Sequence, residues 1–378
     1  MIYADANGSL PLLPEVKTYL DSRLPAPLWG NPNAIHSLGT KIKSGMEKSR
    51  RIAAEVLGAG AIQMIWTSGA SESLATAFHH ILLPKKNKNK IYSSPIEHAA
   101  VVMALEYYKN VWGYEVEYIP VSRDGFVDAN WLETRVDGQT ALVVCMGANN
   151  ETGVIQPWQK IRDICKSKGC DYLCDTTQLV GRVPFNFRES GLDWAMASGH
   201  KLGALPGSGF LLTTKPFEIT PLIFGGGQEN GMRGGTQNYL GSETLAIALQ
   251  TLPDKLKKIP QHHEWRSSLE SSLPSEAVVI GKSYERLSGT TLVGLPGLHG
   301  QGVQIELESQ DIFVTTSSAC SDNEPATSKV LRAMGIEDQL GRSVVRVSLA
   351  LSATQEDYQR VTASLNDAYK KLTKIKAY

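Results

Sequence analysis

Residues 193–214 read DWAMASGHKLGALPGSGFLLTT, two short apolar runs on either side of a stretch rich in Gly that also carries Ser, His and Lys. Each run has the length of a strand and is bounded by turn residues. The same texture extends outward in both directions. Upstream, MEKSRRIAAEVLGA (46–59) has helical spacing, with Ile52, Val56 and Leu57 on one face and Gly58 as a stop. QMIWTSGA (63–70) reads as a strand entering a glycine turn, and ESLATAFHHIL (72–82) as a helix. The short runs IYSS, EVEYIPV, ALVVCMGA and DYLCD follow, interleaved with helical patterns such as WQKIRDICKSKG (158–169). Strands alternating with helices predict an α/β fold with a largely parallel sheet.

Downstream, ETLAIALQTLPDKLKKI (243–259) is a longer helical stretch that leads away from this region. TLVGLPG, VQIELES, IFVTTSS and VVRVSLAL then mix helix and strand before a last helix at QEDYQRVTASLNDAYKKL (355–372), the pattern of a smaller α+β unit. A chain of 378 residues exceeds what one core usually serves, so two domains are expected. They are placed at 14–245, and at 1–13 together with 246–378.

Thirty-eight basic residues balance thirty-eight acidic ones, so no global field recruits nucleic acid or an anionic membrane. The cluster Lys85, Lys86, Lys88 and Lys90 in its Asn-rich surroundings reads as a solvated loop. No run approaches a membrane span, and MIYADANGSLPLLPEV lacks the features of a signal peptide. Five cysteines, at 145, 165, 170, 174 and 320, argue for a reducing, cytoplasmic setting rather than a disulfide framework. The run Cys165 to Cys174 lacks zinc-site pair spacing, so these read as structural thiols.

In open α/β sheets ligands lie beyond the C-terminal strand ends, and three such junctions carry chemistry. Thr67-Ser68-Gly69-Ala70-Ser71-Glu72 sets a tight turn at a helix N-terminus, a cup for phosphate, although Ser also caps helices for structural reasons. Neither a complete Walker A loop nor GxGxxG is present. Asp175 ends the strand DYLCD, where a carboxylate can keep a pyridine nitrogen protonated; singly it serves equally as a cap or turn residue. Lys201 follows the strand DWAMAS in Ser198-Gly199-His200-Lys201, a poor place for a solvent-facing lysine and a good one for the lowered pKa that Schiff-base chemistry needs. Together these point to pyridoxal 5′-phosphate (PLP).

With TSGASES, SPIEHAAVV, NNETGVIQP, DTTQLVGRVP, SGHKLGALPGSGFL, GGGQENGMRGGTQN, SSACSDNEP and VVRVSLALSATQED in this order, the chain resembles a cysteine desulfurase of the class V aminotransferase group. These are fold-type I PLP enzymes, and the resemblance spans nearly the whole chain. It implies that Lys201 is the Schiff-base lysine, Asp175 the pyridinium partner and His98 the imidazole stacked on the ring, with an acid–base role at the substrate thiol. Gln178 matches a ligand of the phenolic oxygen, and Asn150 an asparagine beside coenzyme and substrate carboxylate. Ala70, Ser71, Ser198 and His200 match the phosphate ligands. Thr236 matches a threonine that reaches the neighbouring subunit's phosphate, which implies a homodimer. Arg346 matches the clamp on the substrate carboxylate, a role suited to its planar fork. Taken in isolation, His98 could cap a helix and Arg346 could pair with a structural acid.

Cys320 lies among small and polar residues in TTSSACSDNEP, unlike Cys145 and Cys174 in their apolar runs, and reads as an accessible reactive thiol. The resemblance implies that it takes sulfur from L-cysteine as a persulfide, leaves L-alanine, and passes the sulfur to an acceptor protein from a mobile loop. Three segments depart from the family pattern: DANGSLP stands for Asn/Ala-Thr-Thr-Pro, RGGT for RSGT, and TSSAC for SGSAC. KLTKIKAY follows closely on the last helix, where members that feed iron–sulfur scaffolds continue into a docking tail. Iron–sulfur assembly, tRNA thiolation and DNA phosphorothioation therefore stay open as pathways. A selenocysteine lyase or transaminase, and a non-catalytic sulfur-relay or regulatory protein, are the alternatives.

Overall fold

A computed structural model describes residues 1–83, 87–316 and 327–375. Lys85, Lys86 and Cys320 lie outside them. Among the described residues twelve strands run in chain order: β1 (Ile2–Tyr3), β2 (Met64–Thr67), β3 (Lys90–Ser93), β4 (Glu115–Tyr118), β5 (Thr140–Val144), β6 (Asp171–Leu173), β7 (Trp194–Ser198), β8 (Gly209–Thr213), β9 (Val278–Ile280), β10 (Thr290–Gly294), β11 (Ile312–Phe313) and β12 (Val344–Ser348). Strands β4-β3-β5-β6 form a parallel sheet, and β2-β8-β7 an antiparallel one. The Thr176 hydroxyl joins their neighbouring edges, donating to the Met196 carbonyl at 2.7 Å and accepting from its N–H at 2.8 Å.

Side chains alternate across these strands. Val143, Ala195, Ala197, Phe210 and Leu212 face one core, which the helices Ser37–Val56, Trp158–Lys168 and Tyr239–Gln250 cover with Met46, Ile161 and Leu245. Leu142, Val144, Met196 and Leu211 face the other, covered by Leu74 and Phe78 of Ala70–Leu82 and by Leu105 of Ala99–Trp112. Burial on both faces is why ALVV and GFLL read as continuous apolar runs rather than alternating ones.

The C-terminal third builds a separate core on the antiparallel sheet β9-β10-β12, with Val293, Val345 and Val347 packed against Leu307 and Val361 of two helices. β1 pairs in parallel with β11, so the N-terminus joins this part of the molecule. VQIELES belongs to the helix Gly300–Glu308, where Val303 and Leu307 are buried one turn apart and Ile305 faces out. The stretch after residue 243 is divided into the helices Tyr239–Gln250, Leu252–Leu256 and Ile259–Ser271, the last two with proline in their first turns. No helix among the described residues is long and apolar enough to cross a membrane.

Candidate active site

The cup at the end of β2 depends on close backbone packing. A Cβ on Gly209 would lie 2.5 Å from the Gly69 Cα, and one on Gly69 would lie 3.2 Å from the Ser198 Oγ. The turn thereby lies against β8 and β7, and the Ser198 hydroxyl accepts from the Ala70 N–H at 2.8 Å. Ala70 and Ser71 open the helix Ala70–Leu82, whose first-turn N–H groups favour an anion. Burial pushes the Glu72 carboxyl up, but hydrogen bonds from Arg233 (2.8 Å) and the Ser68 N–H (2.9 Å) prevail and hold it below the ordinary range. Glu72 thus ties the cup to the RGGT segment. Thr236 of that segment is exposed and shares a recess with Thr67, Ser68 and Gly209.

Lys201 sits in a one-turn helix directly after β7. Its amine donates to the Asn7 carbonyl, and burial, with the charges of Arg182 and Arg346, pushes its pKa down to about 8. The Gln178 Nε2 donates to the same carbonyl at 3.0 Å. Asp175 is buried and accepts from the Thr177 N–H at 2.9 Å. The His200 ring is 3.2 Å from the Ser9 hydroxyl, and burial, Lys201 and Arg182 all lower its pKa.

Asn7 is the residue that joins these parts, and it was not singled out from the sequence. It is buried; its N–H donates to the Ser348 Oγ (3.1 Å), and its Nδ2 to the Asn150 carbonyl (3.2 Å) and the Thr290 hydroxyl (3.0 Å). Its Oδ1 accepts from the Arg182 Nε at 3.3 Å. Arg182 also donates to the Ala6 carbonyl at 2.7 Å, and burial pushes its guanidinium down to about 10. The sequence offered one pointer to this segment, the reading of DANGSLP as a departure from the family pattern, and none to Asn7 itself.

Arg346 on β12 donates from Nη1 to the Asn150 carbonyl (2.9 Å) and from Nη2 to Asp5 (2.6 Å). A structural acid does pair with it, as the isolated reading allowed. Its backbone exchanges hydrogen bonds with Thr315. On the far side of the TTSSAC segment, the Ser328 hydroxyl donates to Glu151 at 2.7 Å, so the described residues flanking Cys320 sit beside Asn150 and Arg346.

His98 is the N-cap of Ala99–Trp112 and accepts from the Ala100 N–H through Nδ1 at 3.1 Å, which leaves Nε2 as the N–H of the neutral ring. Glu97 beside it was also missed. It accepts from the Ser94 hydroxyl and the Met146 N–H, and burial pushes its pKa up to about 8, with Asp175 adding to the rise.

Three buried polar atoms here lack a hydrogen-bond partner among the described residues: Thr177 Oγ1, Gln178 Oε1 and Arg346 Nε. Native interiors leave few such atoms. Together with a half-buried lysine, a strand-end carboxylate and a helix N-terminus, they make a donor and acceptor set that fits a phosphorylated pyridine aldehyde and an amino-acid carboxylate.

The chain belongs to the class V aminotransferases, whose family model matches residues 2–361. It is 32% identical to cysteine desulfurase 2 of Trichormus variabilis over 383 aligned positions, covering 100% of this chain and 95% of that one. To the cysteine desulfurase IscS of Rickettsia bellii it is 33% identical, over 94% and 88% of the two chains. Among solved structures it is similar to a NifS-like protein (TM-score 0.90, 32% identity, 98% of this chain and 100% of that one). A NifS-like protein from Rickettsia africae gives a TM-score of 0.85 at 28% identity, over 98% and 99% of the chains. The α/β fold with a mainly parallel sheet, expected from the sequence, is the fold of these proteins.

Proposed function

We propose that this chain is a PLP-dependent cysteine desulfurase that moves the sulfur of L-cysteine onto Cys320 and releases L-alanine. The observation that carries this reading is the Lys201 amine, held beside Asp175, Gln178 and Arg346 with its pKa pushed down to about 8. Such an amine is neutral often enough near neutral pH to act as nucleophile and base. When bound, PLP would supply the electron sink that makes the substrate α-proton acidic.

Lys201 would hold the coenzyme and, with its amine free, would take the α-proton. Asp175 would serve the ring nitrogen and Gln178 the phenolic oxygen. Ala70, Ser71, Ser198 and His200 would hold the phosphate, and His98 the ring. Arg346 and Asn150 hold the substrate carboxylate, and His98 moves the proton at the substrate sulfur. The Cys320 thiolate attacks that sulfur: the Cβ–S bond breaks, an S–S bond forms, and the carbon skeleton, reprotonated at Cβ and Cα, leaves as alanine. At most four peptide units separate Cys320 from Thr316, a span of ~14 Å, which supports its reaching the substrate.

A homodimer, with Thr236 serving the partner's phosphate site, is part of the proposal. So are the two units 14–245 and 1–13 with 246–378, and a cytoplasmic setting in which an acceptor protein collects the sulfur.

The test is incubation of the PLP-loaded protein with L-cysteine, with and without dithiothreitol, measuring alanine and sulfide for wild type and Cys320→Ala. Alanine from the wild type, with sulfide released by reductant and both lost in the variant, is the expected result. Products that survive the substitution would replace the persulfide route with a lyase.

A further inference from the structure

The helix Trp158–Lys168 ends in a backbone reversal that brings two thiols together. Gly169 takes φ +68°, its N–H donates to the Lys166 carbonyl at 3.4 Å, and the Cys170 N–H reaches back to the Cys165 carbonyl at 3.1 Å. This pair of bonds is the Schellman motif, whose third element is a side-chain contact between the residues at the two ends of the longer bond. Those residues are ordinarily apolar; here both are cysteine. The Cys170 thiol donates to the Cys165 carbonyl oxygen at 3.8 Å, and each thiol shifts the titration of the other. With the backbone bond at 3.1 Å, ordinary bond lengths hold the two Cα atoms within ~7 Å, the reach of a disulfide.

The two thiols differ. Cys165 is buried, whereas Cys170 is partly open, and both line a surface cleft of about 350 Å³ together with Lys88, Lys166 and Lys215. The Lys88 ammonium is fixed at the motif, donating to the Gly169 carbonyl at 2.7 Å. The neighbouring Cys165 thiol, then the charge of Lys88, hold Cys170 below the ordinary thiol range against burial and Asp171, while the same contact raises Cys165. A partly open thiol beside a buried one is the arrangement of an attacking and a resolving cysteine.

We propose that Cys165 and Cys170 are a redox-active dithiol that closes reversibly to an intramolecular disulfide, a modification site separate from the thiol at 320. The oxidant is hydrogen peroxide. The Cys170 thiolate attacks one peroxide oxygen, the O–O bond breaks, and the departing hydroxide takes a proton to become water, leaving a sulfenic acid. The Cys165 sulfur then attacks the Cys170 sulfur. The S–O bond breaks, the thiol proton goes to the leaving oxygen, and a second molecule of water forms with the S–S bond. Two electrons pass from the sulfur pair to the peroxide, and a dithiol reductant returns them. The couple sits where β6 begins, at Asp171, on the strand that leads to Asp175.

The experiment treats the full-length protein with graded hydrogen peroxide, blocks remaining thiols with iodoacetamide, and maps tryptic peptides without reduction. Cleavage after Arg162, Lys166, Lys168 and Arg182 separates DICK from GCDYLCDTTQLVGR. The disulfide therefore appears as these two peptides joined, lighter by two hydrogens than their sum, with fragmentation placing the bond on Cys170 rather than Cys174. The expected result is near-complete linkage that dithiothreitol reverses and that is lost in Cys165→Ser and Cys170→Ser. Melting of the reduced variants shows that they fold. Lys88→Met slows alkylation of Cys170 several-fold and leaves the other thiols unchanged. The proposal is overturned if Cys165 and Cys170 stay reduced while Cys320 oxidises fully. It is equally overturned if Cys170 reaches the sulfinic acid with Cys165 still a thiol, or if the bond joins two chains.

Discussion

The pKa of Lys201 makes a measurable claim about how fast the coenzyme-free protein captures an aldehyde. Only the neutral amine adds to the carbonyl. An ordinary lysine at 10.5 and Lys201 at about 8 differ by 10.5 − 8 = 2.5 units, a ratio of about 300 in neutral amine near pH 7. The second-order rate with PLP, followed by its visible absorbance, should rise about tenfold per pH unit up to ~8 and flatten above it. Burial is the largest cause of the shift; Arg182 and Arg346 push the same way, and Asp5 and Asp175 oppose them. Arg182→Gln should therefore move the break upward, and Asp5→Asn should move it downward. Stability carries a sign as well. The folded state resists the ammonium form, so stability should rise as pH climbs from about 8 to 10.5. A wild-type break at the ordinary lysine value, or displacement of both variants in the same direction, would refute the reasoning.

Two further outcomes follow from buried acids. Glu97, raised to about 8 from 4.5, keeps its proton when folded while the unfolded chain ionises, so it stabilises fully below 4.5 and loses that contribution as pH climbs to about 8. The slope is about 1.4 kcal/mol per pH unit, and Glu97→Gln should flatten urea-measured stability across that window; an unchanged slope would count against the assignment. Glu229, fully buried, accepts from Arg50 at 2.7 and 2.9 Å and from the Trp66 N–H at 3.0 Å. Glu229→Gln should cost ~3 kcal/mol, the low end for a broken buried pair because Glu47 still pairs with Arg50, and combining it with Arg50→Met should recover part of that. Equal losses in the single and double variants would show that the ion pair does not set the cost.

What the sequence disclosed and what it hid divide along contact distance. The alternation of runs such as ALVV and WQKIRDICKSKG is a local pattern, and it led to the α/β fold because strands buried on two faces must be continuously apolar. Lys201 and Asp175 were legible for the same reason, each being a polar residue at the end of such a run. Asn7 was not. Its partners Asn150, Arg182, Thr290 and Ser348 come from four distant segments, and no periodicity records a bond across more than a hundred residues. Cys165 and Cys170 were hidden by their spacing instead. Five residues apart on a continuous helix, two side chains point to different faces, and only the reversal at Gly169 turns one toward the other.

The same hub constrains how a substrate could be received. Arg346 has its two terminal nitrogens engaged, one on Asp5 and one on the Asn150 carbonyl, while Nε lacks a partner. A carboxylate that took over the Nη2 bond would displace Asp5, one carboxylate for another, with little change in the charge around Arg346. Asp5 lies two residues from Asn7, whose carbonyl holds the Lys201 amine. Motion of Asp5 and release of that amine thus belong to one short segment, 5–7, fixed at its far side by Arg182 and Ser348. That coupling gives a physical reason why a change within 5–7 would act on Lys201 and Arg346 together. Changing Asn7 alters how the amine and the guanidinium are held without altering either group.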